Sequence, residues 1–225
     1  MATINGTNIE DFLVGAQSAD VINGLDGSDY LSGDDGADLL NGGEGDDSLS
    51  GDAGADTLVG GTGPDMLRGG EGADTYVFNK GDGYDIIDNS QFSIAADKLV
   101  LGADFNAGNI RLNRDGSDLI ISFINNPDDS VKVTGHFADK ALSSLQFIDG
   151  TILNISPSNL NNAVYSVAQT IGAQVYGYEG KDVMRGTSDR SGWWGYNNDS
   201  FYGAGGNDSI DGGVGTDYLD RKSVV

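Results

Sequence analysis

The chain has no cysteine. That excludes a disulfide framework, a thiolate metal site and a cysteine nucleophile. His136 is the one histidine in 225 residues, so no multi-histidine zinc or iron site can be assembled. Lysine and arginine number 12 against 35 aspartates and glutamates, a net charge of −23. This shortage of cations opposes nucleic acid and anionic membranes, both of which need basic patches. No apolar run approaches the roughly 20 residues of a membrane span. Met1-Ala2-Thr3-Ile4-Asn5-Gly6 has no basic start and no apolar segment, so no cleaved signal peptide is expected. What abounds is glycine, at 36 residues, beside 38% hydrophobic residues, too many for a simple acidic disordered tail.

The acid is unevenly spread. Residues 1–90 hold 19 of the 35 acids and 19 of the 36 glycines, but two of the 12 bases. Aspartate recurs there every nine residues, at Asp11, Asp20, Asp29, Asp38, Asp47, Asp56, Asp65 and Asp74. Two residues after each comes Leu13, Ile22, Leu31, Leu40, Leu49, Leu58, Leu67 or Tyr76. Two residues before most of them stands Gly27, Gly36, Gly45, Gly54, Gly63 or Gly72. Units open on Gly15, Gly24, Gly33, Gly42, Gly51, Gly60 and Gly69. A flexible linker has no reason to hold aliphatics in register.

Residue types dictate the local geometry. A stretch rich in Gly and Asp turns, because Gly permits positive φ and Asp tolerates it. A triplet such as Ser48-Leu49-Ser50 makes a minimal strand with its middle residue on the opposite face from its neighbours. Two turns and two strands close one coil of eighteen residues, so Leu31 should stack on Leu13 and Leu49, with Ile22, Leu40 and Leu58 on the facing wall. Aspartates one coil apart then lie ~5 Å from each other and repel unless a cation intervenes. Turn carbonyls point into the same gaps. Carboxylates plus several carbonyls make a hard, flexible oxygen site that suits Ca²⁺ better than Mg²⁺.

The unit Gly-Gly-x-Gly-x-Asp-x-aliphatic-x, complete in Gly42-Gly43-Glu44-Gly45-Asp46-Asp47-Ser48-Leu49-Ser50, resembles the RTX, or haemolysin-type, calcium-binding nonapeptide. The resemblance covers residues 6–90. It implies several calcium ions between turns one coil apart, export by a type I secretion machine, and folding on meeting extracellular calcium. The expected metal ligands are Asp20, Asp29, Asp38, Asp47, Asp56, Asp65, Asp74 and Asp85, with the turn glycines Gly24, Gly27, Gly33, Gly36, Gly42, Gly45, Gly51, Gly54, Gly60, Gly63, Gly69 and Gly72. Ile9 and Ser18 replace glycine two places before Asp11 and Asp20, so sites using those two depart from the pattern. Asp85 follows Asp74 by eleven residues, in a last rung ending near Asp88.

Residues 98–154 read as antiparallel strands, with Asp149-Gly150 as a two-residue hairpin turn. Phe147-Ile148-Asp149-Gly150-Thr151 is similar to the flank domain that follows many RTX tracts. Its expected job is to cover the open end of the roll. Beyond a linker, Asp199, Asp208 and Asp217 restore the step of nine and are further expected ligands. Trp193 and Trp194 sit in a break of register, as an end plug or a sugar-stacking platform. Asp220-Arg221-Lys222-Ser223-Val224-Val225 breaks the pattern, matches the translation of a common sequencing adapter, and is expected to be foreign to the protein.

The expected fold is therefore all-β: a parallel β-roll over 6–90, a small antiparallel β capping region over 91–155, a linker at 156–172, and a second, incomplete β-roll over 173–220. No phosphate loop, EF-hand or Asp-Pro cleavage point is present, and His136 has no local partner for catalysis. The expected function is calcium binding by a secreted, non-catalytic RTX segment whose partners are calcium and the secretion machinery. Two alternatives stay open: an accessory region of a larger exported enzyme (protease, lipase or polysaccharide-modifying), or an adhesin or surface-layer fragment that touches carbohydrate.

Overall fold

The computed structural model describes residues 1–88, 96–107, 109–138 and 142–155, together with six short strands between 164 and 220. The repeat forms β1 (Thr3–Asn5), β2 (Phe12–Val14), β3 (Val21–Asp26), β4 (Tyr30–Ser32) and β5 (Leu39–Glu44). It continues through β6 (Ser48–Ala53), β7 (Thr57–Thr62), β8 (Met66–Glu71), β9 (Thr75–Phe78) and β10 (Tyr84–Asp88). From β2 to β9, every strand starts on the residue after a repeat aspartate. Odd-numbered strands form one sheet and even-numbered strands the other, each pairing in parallel with the strand one coil away. This is the parallel β-roll the period requires.

Alternation sorts each triplet. The middle residue enters the core and its neighbours face out. In register, Ile22, Leu40, Leu58 and Tyr76 stack along one wall, and Leu13, Leu31, Leu49, Leu67 and Ile87 along the other. All of these but Leu13 are buried to 2% exposure or less. Each such side chain contributes about 1.5–3 kcal/mol. Tyr76 takes an aliphatic position because its hydroxyl accepts the buried Gly69 N–H at 2.9 Å. Earlier glycines of this sheet bond the next coil instead, as Gly33 N–H does to the Ser50 carbonyl at 2.8 Å.

The following segment supplies β11 (Lys98–Leu101), β12 (Ile110–Asp115), β13 (Asp118–Phe123), β14 (Asn126–Thr134), β15 (Ser144–Phe147) and β16 (Ile152–Asn154). The expected antiparallel pairs are there, β12–β13–β14 and β15–β16. Three of these strands also prolong the roll in parallel: β11 on β9, β15 on β11, and β14 on β10. Edge strands need partners, and the segment satisfies the last coil's hydrogen bonds by continuing both sheets. Phe78, Phe105 and Phe123 stack where the core widens, with ring centroids 3.9–5.9 Å apart. The hairpin turn has three residues, Ile148-Asp149-Gly150, not two. Phe147 N–H bonds the Thr151 carbonyl at 2.9 Å, and Gly150 has φ +88°. That pattern is a type I turn closed by a left-handed glycine.

The distal strands are β17 (Val164–Ser166), β18 (Gln174–Tyr176), β19 (Val183–Arg185), β20 (Ser200–Tyr202), β21 (Ser209–Asp211) and β22 (Tyr218–Asp220). They pair in parallel as β17-β19-β21 and β18-β20-β22, with the same odd–even alternation as the first tract. β17 falls within the segment read as a linker. Asp199, Asp208, Asp217, Trp193 and Trp194 lie outside the described residues.

Candidate metal centre

From Asp29 on, each repeat aspartate holds the preceding coil through one of its two oxygens. The backbone N–H of Asp20 donates to Oδ1 of Asp38 at 2.6 Å, and that of Asp29 to Asp47 at 2.7 Å. Asp38 bonds Asp56 and Asp47 bonds Asp65, both at 2.8 Å, and Asp56 bonds Asp74 at 2.9 Å. The other oxygen has no such duty. Oδ2 of Asp29, Asp38, Asp47, Asp56, Asp65, Asp74 and Asp85 is buried without any hydrogen-bond partner. A buried, unpaired charged oxygen is costly, and natural folds leave very few. They stand in two rows, Asp29, Asp47, Asp65 and Asp85 along one edge and Asp38, Asp56 and Asp74 along the other, and bare carboxylate oxygens of this kind suit a cation.

The turn glycines shape the space around those oxygens. A Cβ on Gly33 would stand 2.5 Å from Asp38 Oδ2 and 2.7 Å from the Gly51 carbonyl oxygen. Carboxylate and carbonyl therefore converge on the face that glycine leaves open, and the same pair recurs at Gly24, Gly42 and Gly51. The second glycine column does another job. Gly54 has φ +155°, and a Cβ there would collide with the Gly36 carbonyl of the preceding coil. Among the described residues, no three His, Cys, Asp or Glu side chains come together. The donor set is one of carboxylates combined with backbone carbonyls, the hard oxygen coordination that calcium takes at six to eight ligands.

The two early units behave differently. Asp20 Oδ1 accepts Ala2 N–H at 2.6 Å, and its Oδ2 accepts Ala16 N–H at 2.9 Å. Asp11 Oδ2 accepts Thr7 N–H at 2.6 Å. These carboxylates are satisfied by the protein itself, and the Asp20 carboxyl is held below the usual range chiefly by the Ala2 N–H.

Burial pushes the central carboxyls the opposite way. Asp47 and Asp74 rise to about 6, Asp56 and Asp65 to about 7, and Asp85 to about 8, first through desolvation. Neighbouring carboxylates add to the rise: Asp29 beside Asp47, Asp74 and Asp38 beside Asp56, and Asp65 beside Asp85. A divalent cation reverses both causes by neutralising adjacent charges and replacing lost water.

The family model for the RTX calcium-binding nonapeptide repeat (4 copies) matches residues 5–40, 14–49, 32–67, 50–85 and 195–220. The chain carries RTX calcium-binding repeats. Such repeats bind several calcium ions, and the orphaned oxygens of this RTX roll fit that ion. Among solved structures, the chain is similar to the AlgE6R2 subunit of the Azotobacter vinelandii mannuronan C5-epimerase. The identity is 26% over 61% of this chain and 86% of that one, with a TM-score of 0.39. The AlgE6R3 subunit of the same epimerase is 24% identical over 75% and 89% of the two chains, with a TM-score of 0.32. Extracellular lipase LipA from Serratia marcescens is 20% identical over 59% of this chain and 38% of that one, with a TM-score of 0.31. No curated protein matches.

The structure also adds RTX-roll residues that the nine-residue step did not reveal. Asp97, fully buried, accepts Asp74 N–H at 2.9 Å across 23 residues and so ends one aspartate ladder. Its signal was present as Asp97-Lys98-Leu99, the same Asp-x-aliphatic order out of step. Asp129 serves the last turn on the other edge, at the same end, by accepting Gly81 N–H at 3.0 Å and Gly83 N–H at 3.3 Å. No local pattern marked it. His136 is buried and its Nε2 donates to the Ile155 carbonyl at 2.8 Å, a strand-end structural role.

Proposed function

We propose that this chain is exported unfolded by a type I secretion machine and folds outside the cell when calcium fills the gaps of its roll. It acts as a calcium-rigidified scaffold with no catalytic step of its own. The observation that carries this reading is the two rows of buried, partnerless Oδ2 atoms, four along one edge and three along the other. The metal ligands are Asp29, Asp38, Asp47, Asp56, Asp65, Asp74 and Asp85, with carbonyls of the turn glycines, and Asp199, Asp208 and Asp217 in the distal tract. Asp20 contributes least, since both of its oxygens already accept N–H groups. The division we propose is a roll over 6–90, a capping segment over 91–155, a linker interrupted by β17, and a second, incomplete roll over 173–220.

Calcium supplies charge neutralisation when bound. The chain's own residues do the rest: glycines open the gap, Oδ1 atoms fix the coil spacing, and the aliphatic walls exclude water. Extracellular modules of this kind bind in the ~10⁻⁴–10⁻³ M range, and binding only to the folded state turns binding free energy into folding free energy. Circular dichroism near pH 8, where the buried carboxyls ionise, with and without calcium tests the reading. The expected change is from disordered to β, and a β spectrum that persists unchanged in chelator overturns it.

A further inference from the structure

The sequence contains three Asn-Gly steps, Asn5-Gly6, Asn23-Gly24 and Asn41-Gly42, spaced 18 residues apart. The roll stacks them into one column on the outer face of the first sheet, with Asn5 opposite Asn23 and Asn23 opposite Asn41. Nδ2 of Asn23 donates to Oδ1 of Asn5 at 2.8 Å. Asn5 and Asn41 are exposed and Asn23 is half-buried. The facing sheet places serine at the equivalent step, in Ser32-Gly33 and Ser50-Gly51. The glycines are not negotiable. A Cβ on Gly24 would collide with Asp29 Oδ2 and stand 2.6 Å from the Gly42 oxygen, and one on Gly42 would collide with Asp47 Oδ2 and the Gly60 oxygen. The gap geometry thus forces each asparagine to precede the residue whose amide nitrogen is least hindered.

We propose that Asn5, Asn23 and Asn41 are deamidation and isoaspartate sites that the folded roll protects, so that time spent without calcium is recorded in the chain. In the reaction the glycine amide nitrogen, its proton lost to solvent base, attacks asparagine Cγ. The Cγ–N bond to glycine forms, the Cγ–Nδ2 bond breaks, and the side-chain nitrogen leaves as ammonia. Water then opens the succinimide ring at either carbonyl. One product is aspartate; the other is isoaspartate, whose main chain runs through Cβ and Cγ. No oxidant or reductant is involved.

The fold opposes the attack twice. Gly6 N–H is donated to the Asn23 carbonyl at 2.8 Å, which hinders its deprotonation. All three asparagines lie in strands, β1, β3 and β5, whose extended backbone holds Cγ away from the next amide nitrogen. This inference rests on the calcium-folding reading above, because both restraints vanish when the metal-free chain unfolds. The damage is also badly placed. An isoaspartate at Asn23 lengthens the backbone immediately before Gly24, beside the Asp29 oxygen that the metal needs.

The test incubates the whole chain near pH 8, where the buried carboxyls ionise, with calcium or with chelator, and follows ammonia release and peptide masses while circular dichroism is recorded. Asn23 and Asn41 should react about 100-fold faster in chelator, the protection expected when reaction requires opening of inner strands. Asn5 should show a smaller ratio, since β1 has one neighbouring strand, β3. Chelator-aged chain should then need more calcium to fold. A variant carrying Asn5→Ser, Asn23→Ser and Asn41→Ser, copying the facing sheet, should fold in calcium and escape this ageing. If that variant does not fold, Asn41→Ser alone should remove one site's share. Equal rates in both buffers overturn the inference. The spectrum separates the failures: a β signal persisting in chelator sinks the calcium-folding reading, whereas an unfolded chain with intact asparagines sinks this inference alone.

Discussion

Protons should substitute for calcium in folding this roll. The perturbation is chelation followed by a pH titration. Asp47, Asp56, Asp65, Asp74 and Asp85 are each no more than 3% exposed, and their folded-state values lie between about 6 and about 8, against 3.8 when solvated. A group raised on folding stabilises the folded state fully below its unfolded value, and that stabilisation is lost as pH climbs through the folded value. For Asp47 alone, the rise from 3.8 to about 6 corresponds to about 3 kcal/mol at 1.36 kcal/mol per pH unit. Domains are stable by only about 5–15 kcal/mol, so a few such ionisations suffice to unfold the metal-free chain. His136 acts oppositely: burial lowers it to about 4, so its contribution is complete above 6.5 and lost as pH falls toward 4. The chelated chain should therefore be unfolded near pH 8 and gain β structure as pH falls through 7 and 6. His136 should blunt the gain near pH 4. Far-ultraviolet circular dichroism in chelator reads this directly. A chelated chain still folded at pH 8, or one gaining no β signal at any lower pH, refutes the reasoning.

Three substitutions probe separate parts of the same design. Asp56→Asn keeps an Oδ1 acceptor for Asp38 N–H while removing charge, and Asp56→Ala removes both. Both should raise the calcium midpoint in a titration, with the alanine variant less stable in urea by a further ~1–3 kcal/mol. Gly33→Ala places a methyl 2.5 Å from Asp38 Oδ2, so calorimetry should count fewer calcium ions than in the unaltered chain. Tyr76→Phe strands the buried Gly69 N–H, and urea unfolding in calcium should show a loss of about 1–3 kcal/mol.

The sequence by itself determined the coil. A step of nine with Gly, Asp and Leu in fixed columns leaves two turns and two strands per eighteen residues, and the observed pairing of Leu31 with Leu49 and Ile22 with Leu40 follows from counting. It also named the carboxylates, because their period is the period of the fold. Tertiary structure decided which oxygen does what. Oδ1 of Asp47 clasps Asp29 N–H while its Oδ2 is left bare, and no residue pattern distinguishes the two atoms of one carboxylate. It likewise decided that Asp20 is already satisfied, through Ala2 and Ala16 N–H groups that only the closed coil brings near. The roll's ending was the least legible part. Asp97 and Asp129 reach the last turns across insertions that break the step, and β11, β14 and β15 extend the sheets in parallel because open edges demand partners wherever the chain can supply them. Periodicity specifies what repeats, and packing alone specifies how a repeat stops.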